Sequence, residues 1–243
     1  SLGATMKQVI AMHGWAGSPD TWTQWQSTFE MEGWLWTNGD RGYDGSTPSN
    51  PRWSEMAKRR VLIAHSLGWH LIQESTLEQA NELILLASFS RFIPESRAGR
   101  RLKTGLDGMT RSLRDGKGIA MLESFFAQVA HPLASSALPA NKLVLKGLTS
   151  VGRDRLQADL HRLAVTHGLP SGRPDHARIL LIHGGSDAVV TAETHQCLLR
   201  DLADQGIHDL SHCGDPNWGH ALVTPAVLAS LLLIFCSLVE PGA

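Results

Sequence analysis

Little in this chain ties it to a specialised environment. One Tyr and three Cys stand among 243 residues. Cys197, Cys213 and Cys236 form no CxxC pair and no metal-ligand spacing. An odd number of cysteines in so long a chain argues against a disulfide framework, so free thiols in a reducing cytoplasm are expected. Neither sign of charge dominates: 22 Lys plus Arg face 23 Asp plus Glu, a formal net of -1. Nucleic acid and anionic membrane are therefore not expected partners. Long hydrophobic runs are missing as well. The apolar tail Val227 to Val239 follows Pro225 and is too short to span a bilayer. It reads as a last core-facing helix. The first apolar run, Val9 to Met12, is too short for the hydrophobic segment of a signal peptide. No internal repeat or low-complexity tract occurs.

What is present is an alternation. Short apolar runs recur at Gln8 to Met12, Trp34 to Thr37, Arg60 to Ala64, Leu83 to Ala87 and Ile179 to His183, with a weaker one at Ile207 to Leu210. Runs apolar on both alternate positions suit strands buried on both faces of a parallel sheet. Helix-like stretches lie between them, at Asp20 to Glu30, Trp53 to Arg59, Trp69 to Gln79 and Ala192 to Gln205. Asp20 is the expected N-cap of the first. Strand and helix in alternation predict an α/β fold with a mostly parallel sheet flanked by helices. Phe92 to Leu169 breaks the pattern: it is helix-like, basic and interrupted by Gly and Pro. The expected organisation is a core of residues 1–90 and 170–243 with a helical lid over 91–169.

Four strand ends carry chemistry. Val61 to Gly68 reads VLIAHSLG, an apolar run that stops at a serine between small residues. A serine on a sharp strand-to-helix turn stands clear of its neighbours, and small flanking residues let the backbone close around it. Ser66 is the candidate nucleophile, although Ala64 stands where a glycine is usual. The amide of Leu67 faces the oxygen that becomes negative during attack. Met12-His13-Gly14-Trp15 ends an earlier strand, and the amide of Trp15 is the second candidate oxyanion donor. Ile179 to Asp187 reads ILLIHGGSD, placing Asp187 on a loop after a strand as the candidate acid. Asp215 is its rival. Trp218-Gly219-His220-Ala221 precedes the last apolar helix and supplies His220 as candidate base, with His212 as competitor. The order Ser, Asp, His separates this arrangement from unrelated serine hydrolases. His13, His65, His70 and His183 are better explained as packing or supporting residues.

Four longer motifs go further: HGWAGSPDTW at His13 to Trp22, GDRGYDGSTP at Gly39 to Pro48, HSLGWHLI at His65 to Ile72, and LLASFSRFIP at Leu85 to Pro94. With them the chain resembles the α/β-hydrolase superfamily over essentially its whole length. More narrowly it resembles the pimeloyl-acyl-carrier-protein methyl ester esterases of biotin synthesis. The resemblance implies a serine carboxylesterase with no metal or cofactor, hydrolysing the methyl ester of a pimeloyl chain tethered to acyl carrier protein. Ser66, Asp187 and His220 would form its triad, and Trp15 and Leu67 its oxyanion hole. Trp69, Ser88, Phe89 and Phe92 are candidates for the acyl pocket, or equally for the core.

From Arg91 to Arg162 there are thirteen Lys plus Arg against six Asp plus Glu, a local net of +7 that leaves -8 on the rest. Arg97, Arg100, Arg101, Lys103, Arg111 and Arg114 are candidates for docking an acidic carrier. The alternative is a solvated amphipathic helix whose arginines cover apolar surface. A general short-chain esterase, an acyl thioesterase and a non-catalytic ligand receptor of the same fold stay open as other functions.

Overall fold

The computed structural model describes residues 5–238 apart from Arg173 and His208, and no side chains beyond residue 234. Six parallel strands form one sheet: β1 (Met6–Met12), β2 (Leu35–Asn38), β3 (Ala57–His65), β4 (Glu82–Leu86), β5 (Arg178–Gly184) and β6 (Leu210–Asp215), in the order β2-β1-β3-β4-β5-β6. The α-helices between and after them are α1 (Thr23–Met31), α2 (Gly68–Leu71), α3 (Glu74–Glu78), α4 (Arg97–Arg114), α5 (Gly118–Ala130), α6 (Lys142–Lys146), α7 (Ser150–Val165), α8 (Ala192–Asp204) and α9 (Pro225–Leu238).

The two faces of the sheet explain the apolar runs. Val9, Val61, Ile63, Leu180 and Ile182 pack on one face with Trp22, Trp25 and Phe29 of the α1 region and Val227, Leu228 and Leu231 of α9. Ile10, Leu62, Ala64, Ile179 and Leu181 point to the other, against Trp69, Leu77, Leu198 and Leu202. Alternate residues of each central strand thus enter opposite cores, and a strand buried on both sides carries no polar alternation.

Several local expectations are corrected. Residues 53–59 form no helix; β3 starts at Ala57, and Arg59 spans to Glu82 of β4 through a paired salt bridge at 2.9 Å. Charge at the partly exposed root of the strand, on Lys58, Arg59 and Arg60, hid its β character. Trp69 to Gln79 is two short helices, parted by extended backbone at Ile72 and Gln73. Trp53 donates its indole N–H to Thr76 O, and Thr76 Oγ1 donates to Pro51 O, which pins α3 against the preceding loop. Asp20 does not cap α1. It lies inside a short 3-10 turn capped by Ser18, and it pairs with Lys142. The apolar run at Ile207 to Leu210 is expected to form the last strand, and His208 of that run lies outside the described residues; the strand runs over Leu210–Asp215 instead. It pairs only with β5 and is half exposed, so nothing demands a run of apolar residues there. Among the described residues no helix is long and apolar enough to cross a membrane.

Helices α4 to α7 fill the interval between β4 and β5 and cover a third apolar cluster that includes Trp15, Leu67, Phe92, Leu106, Leu122 and Leu160. Their firmest polar anchor is Asp159 of α7. Its fully buried carboxylate accepts from Arg41 Nε at 2.8 Å and from the Tyr43 hydroxyl at 2.6 Å. Burial, then the neighbouring Asp159 charge, raise the Tyr43 phenol well above its ordinary value, so it stays a donor. Removing one partner of a buried pair strands the other charge. The Arg41 side chain is a quarter exposed and recovers some hydration. Asp159→Ala is therefore expected to cost about 2–4 kcal/mol, lowering Tm by roughly 5–15 °C in a chain this size. A thermal melt within 2 °C or so of the parent would remove the network from the stabilising contacts.

Candidate active site

The four chemical strand ends meet at the carboxyl edge of the sheet, where parallel α/β folds gather ligands. Ser66 follows β3 directly and adopts φ 55°. A non-glycine residue there is strained, by about 1–3 kcal/mol, and persists because the surroundings dictate it. Its amide donates to Leu86 O at 2.8 Å, fixing the turn to β4. Gly68 must be small: a Cβ there would sit 2.5 Å from Met12 O and 2.7 Å from His13 O. Ala64 is fully buried, beside Met12 of β1, and its methyl fits. The same economy brings the β1 turn close. A Cβ on Gly14 would lie 3.1 Å from His65 O and 3.2 Å from Ser66 Cβ.

Asp187 follows β5. Its Oδ2 accepts from His220 Nδ1 at 2.9 Å, and its Oδ1 accepts from the amides of Val189 and Val190 at 2.7 and 2.8 Å. Both side chains of the pair are almost entirely buried. Burial alone would raise the Asp187 carboxyl. The His220 charge, its hydrogen bond and the two amides outweigh that and leave it below its usual value. The partnership also fixes the tautomer, with the proton on Nδ1 and a lone pair on Nε2. Asp215, the rival, is occupied elsewhere: its Oδ1 accepts from Asn217 N at 2.8 Å. His212 lies exposed on the edge strand.

His65 braces the candidate base, His220. Its Nε2–H donates to His220 O at 2.8 Å, and the two rings pack at 4.8 Å. Burial, then repulsion from His220, push its pKa down to about 3, so it remains neutral. Ser66 and His220 border one cavity of about 930 Å³. Among the described residues no hydrogen bond joins Ser66 Oγ to the imidazole; such contacts often tighten only around substrate. Among the described residues, too, the amides of Trp15 and Leu67 have no protein acceptor, and both residues border the cavity.

Of the four pocket candidates only Phe92 reaches this cavity. Trp69 is three residues past Ser66 on a helix, which turns it down into the core against the sheet. Ser88 and Phe89 are buried beside β4, with Phe89 stacked on His70. Sequence reasoning missed the walls that are there: Leu102, Leu106 and Met109 of α4, Phe125 and Phe126 of α5, and Leu160 of α7. A readable signal existed, since Ala98, Leu102, Leu106 and Met109 form a helical stripe inside a basic segment. The basic candidates occupy the rest of α4. Arg97, Arg100, Arg101, Lys103, Arg111 and Arg114 are all exposed, and Arg101 touches the cavity mouth as well.

No family model matches the chain, and no curated protein does. Solved structures do. An α/β-hydrolase enzyme from a Medee basin deep-sea metagenome library superposes with a TM-score of 0.70 at 14% identity, covering 100% of this chain and 93% of its own. An esterase from Exiguobacterium antarcticum gives 0.64 at 16%, covering 97% and 91%. BioG from Haemophilus influenzae gives 0.52 at 13%, covering 89% and 90%. Likeness at such identities speaks for architecture, and with the six-stranded parallel sheet and its flanking helices it shows that this chain has the α/β-hydrolase fold.

Proposed function

We propose that this protein is a serine carboxylesterase, and that its substrate is a methyl ester of a pimeloyl chain carried on acyl carrier protein. One observation carries the catalytic part: a buried Asp187–His220 pair at 2.9 Å opens onto the same cavity as a serine held at φ 55°. In the proposed cycle His220 Nε2 takes the Ser66 proton as Oγ attacks the ester carbonyl. The amides of Trp15 and Leu67 hold the oxyanion. His220 then protonates the departing alkoxide, and a water activated by the same base hydrolyses the acyl-enzyme. Asp187 keeps the imidazole oriented and balances its charge.

Substrate class rests on the cavity and the charge. A volume of about 930 Å³ bounded by Leu102, Leu106, Phe125 and Leu160 suits an extended acyl chain better than an acetyl group. Helices α4 to α7 would serve as its lid. The exposed arginines and lysine of α4 would steer an acidic carrier toward the mouth.

A fluorophosphonate probe is expected to label the protein once, with the adduct mapped by mass spectrometry to the peptide containing Ser66. Turnover of methyl pimeloyl-carrier should exceed that of p-nitrophenyl butyrate and of an acyl-carrier thioester. Faster thioester turnover would make it a thioesterase. A well-folded protein that takes no label would point to a non-catalytic receptor.

A further inference from the structure

The turn that presents the Trp15 amide is held from outside the sheet. Gly17 N donates to Gly14 O at 3.1 Å, closing a four-residue turn whose third member, Ala16, has φ 62°. That geometry is unfavourable for alanine, so neighbours must impose it. Below, His13 Nδ1–H donates to Gly14 O at 2.7 Å while its Nε2 accepts from Arg41 N. On the side of the inserted helices, the Trp15 indole donates to Leu156 O of α7 at 3.0 Å. Asn141 does two things at once. Its Oδ1 caps α6 by accepting from Leu143 N at 2.8 Å, and its Nδ2 donates to Ala16 O at 3.1 Å. The adjacent Lys142–Asp20 pair joins the same two segments, but both partners are about half exposed and hold them weakly.

We propose that Asn141 is a positioning residue of the oxyanion hole. It couples α6 to the strained turn, so the Trp15 amide is aimed at the reacting carbonyl only while α6 is seated. This rests on the catalytic role proposed above for Trp15. Docking of a substrate chain against α6, which borders the cavity through Asn141, Val144 and Leu145, would then complete the site it reacts in.

Two substitutions separate the cap from the donor. Asn141→Asp and Asn141→Ser both still cap α6, but Asp carries no donor, and the shorter Ser holds its hydroxyl at the cap, without the amide N–H that reaches Ala16 O. Each is expected to lower kcat on p-nitrophenyl butyrate about 10-fold, less than deleting an oxyanion donor outright, with KM unchanged within about 2-fold. The inhibition constant of an alkyl trifluoromethyl ketone, whose adduct places an oxyanion in the hole, should rise by the same factor. Parent-like kcat and ketone inhibition in both variants would overturn the proposal and leave Asn141 a helix cap. So would a loss confined to Asn141→Ala and accompanied by a lower Tm. A parent protein that neither hydrolyses the ester nor takes the fluorophosphonate would overturn the esterase function itself.

Discussion

Asp187→Asn is expected to lower kcat by about 10⁴ with little change in KM, because an amide in that place supports the wrong imidazole tautomer. Oδ2 now accepts from His220 Nδ1 at 2.9 Å. An Asn nitrogen turned to that site would donate instead, forcing the proton to Nε2, where it blocks proton removal from Ser66. The other oxygen is held by two amides, from Val189 and Val190, and these dictate which end of the Asn amide faces them. Its carbonyl must accept there, so its NH₂ must face the histidine. Ser66→Ala sets the floor, at roughly 10⁶ below the parent. Asp215→Asn is the internal comparison. That carboxylate serves a local turn through Asn217 N, so activity should stay within about 3-fold, as for a contact outside the transition state. Steady-state kinetics on one ester decide among the three. A reversal, with Asp215→Asn the severe variant, would end the assignment of the acid.

The central sheet could be read from the chain because burial on both faces leaves a plain mark. β1, β3, β4 and β5 send alternate residues into two cores, and each appears in the sequence as an apolar run. β6 has one neighbour and a half-exposed course, so no comparable mark survives. The start of β3 was hidden by lysine and arginines that the solvent at its root tolerates. The convergence of the candidate site residues was legible for a related reason. Three of its four turns come after the buried strands β1, β3 and β5, the fourth comes after the edge strand β6, and a parallel sheet delivers all such ends to one edge.

The cavity walls follow a different logic. Leu106, Phe125, Val144 and Leu160 come from four helices, and nothing local in the sequence says which of their apolar faces meet. Trp69 shows the opposite error: nearness to Ser66 in sequence suggested nearness in the pocket, yet α2 carries the indole to the far face of the turn. The double duty of Asn141 was invisible too. A cap at the start of a five-residue helix is common, and only the packed structure brings it to Ala16 O.

Acid should unfold this protein earlier than its carboxylates alone would require. Burial, then repulsion from His220, push the pKa of His65 to about 3; burial pushes His70 to about 4. Both are neutral when folded, and both serve as donors in that state, to His220 O and to Phe89 O. In the unfolded chain each titrates near 6.5. Between that value and the folded ones, the unfolded chain binds protons that the folded chain refuses. Stability is therefore full above pH 6.5 and declines as pH falls toward 4, by about 1.4 kcal/mol per pH unit for each histidine. The two together predict Tm falling by roughly 5–10 °C per pH unit from about pH 6 to 4. His183 and His195, stacked at 3.9 Å and also lowered by burial, act in the same direction with a smaller share because solvent reaches them. His70→Gln isolates one contribution, since the amide can still donate to Phe89 O but does not titrate. Its stability should lose about 1.4 kcal/mol per pH unit less than the parent over that range. Urea midpoints at pH 7.5, 6 and 5 measure the slopes, and a parent curve that is flat between pH 7 and 5 would contradict the neutral, buried state of both rings.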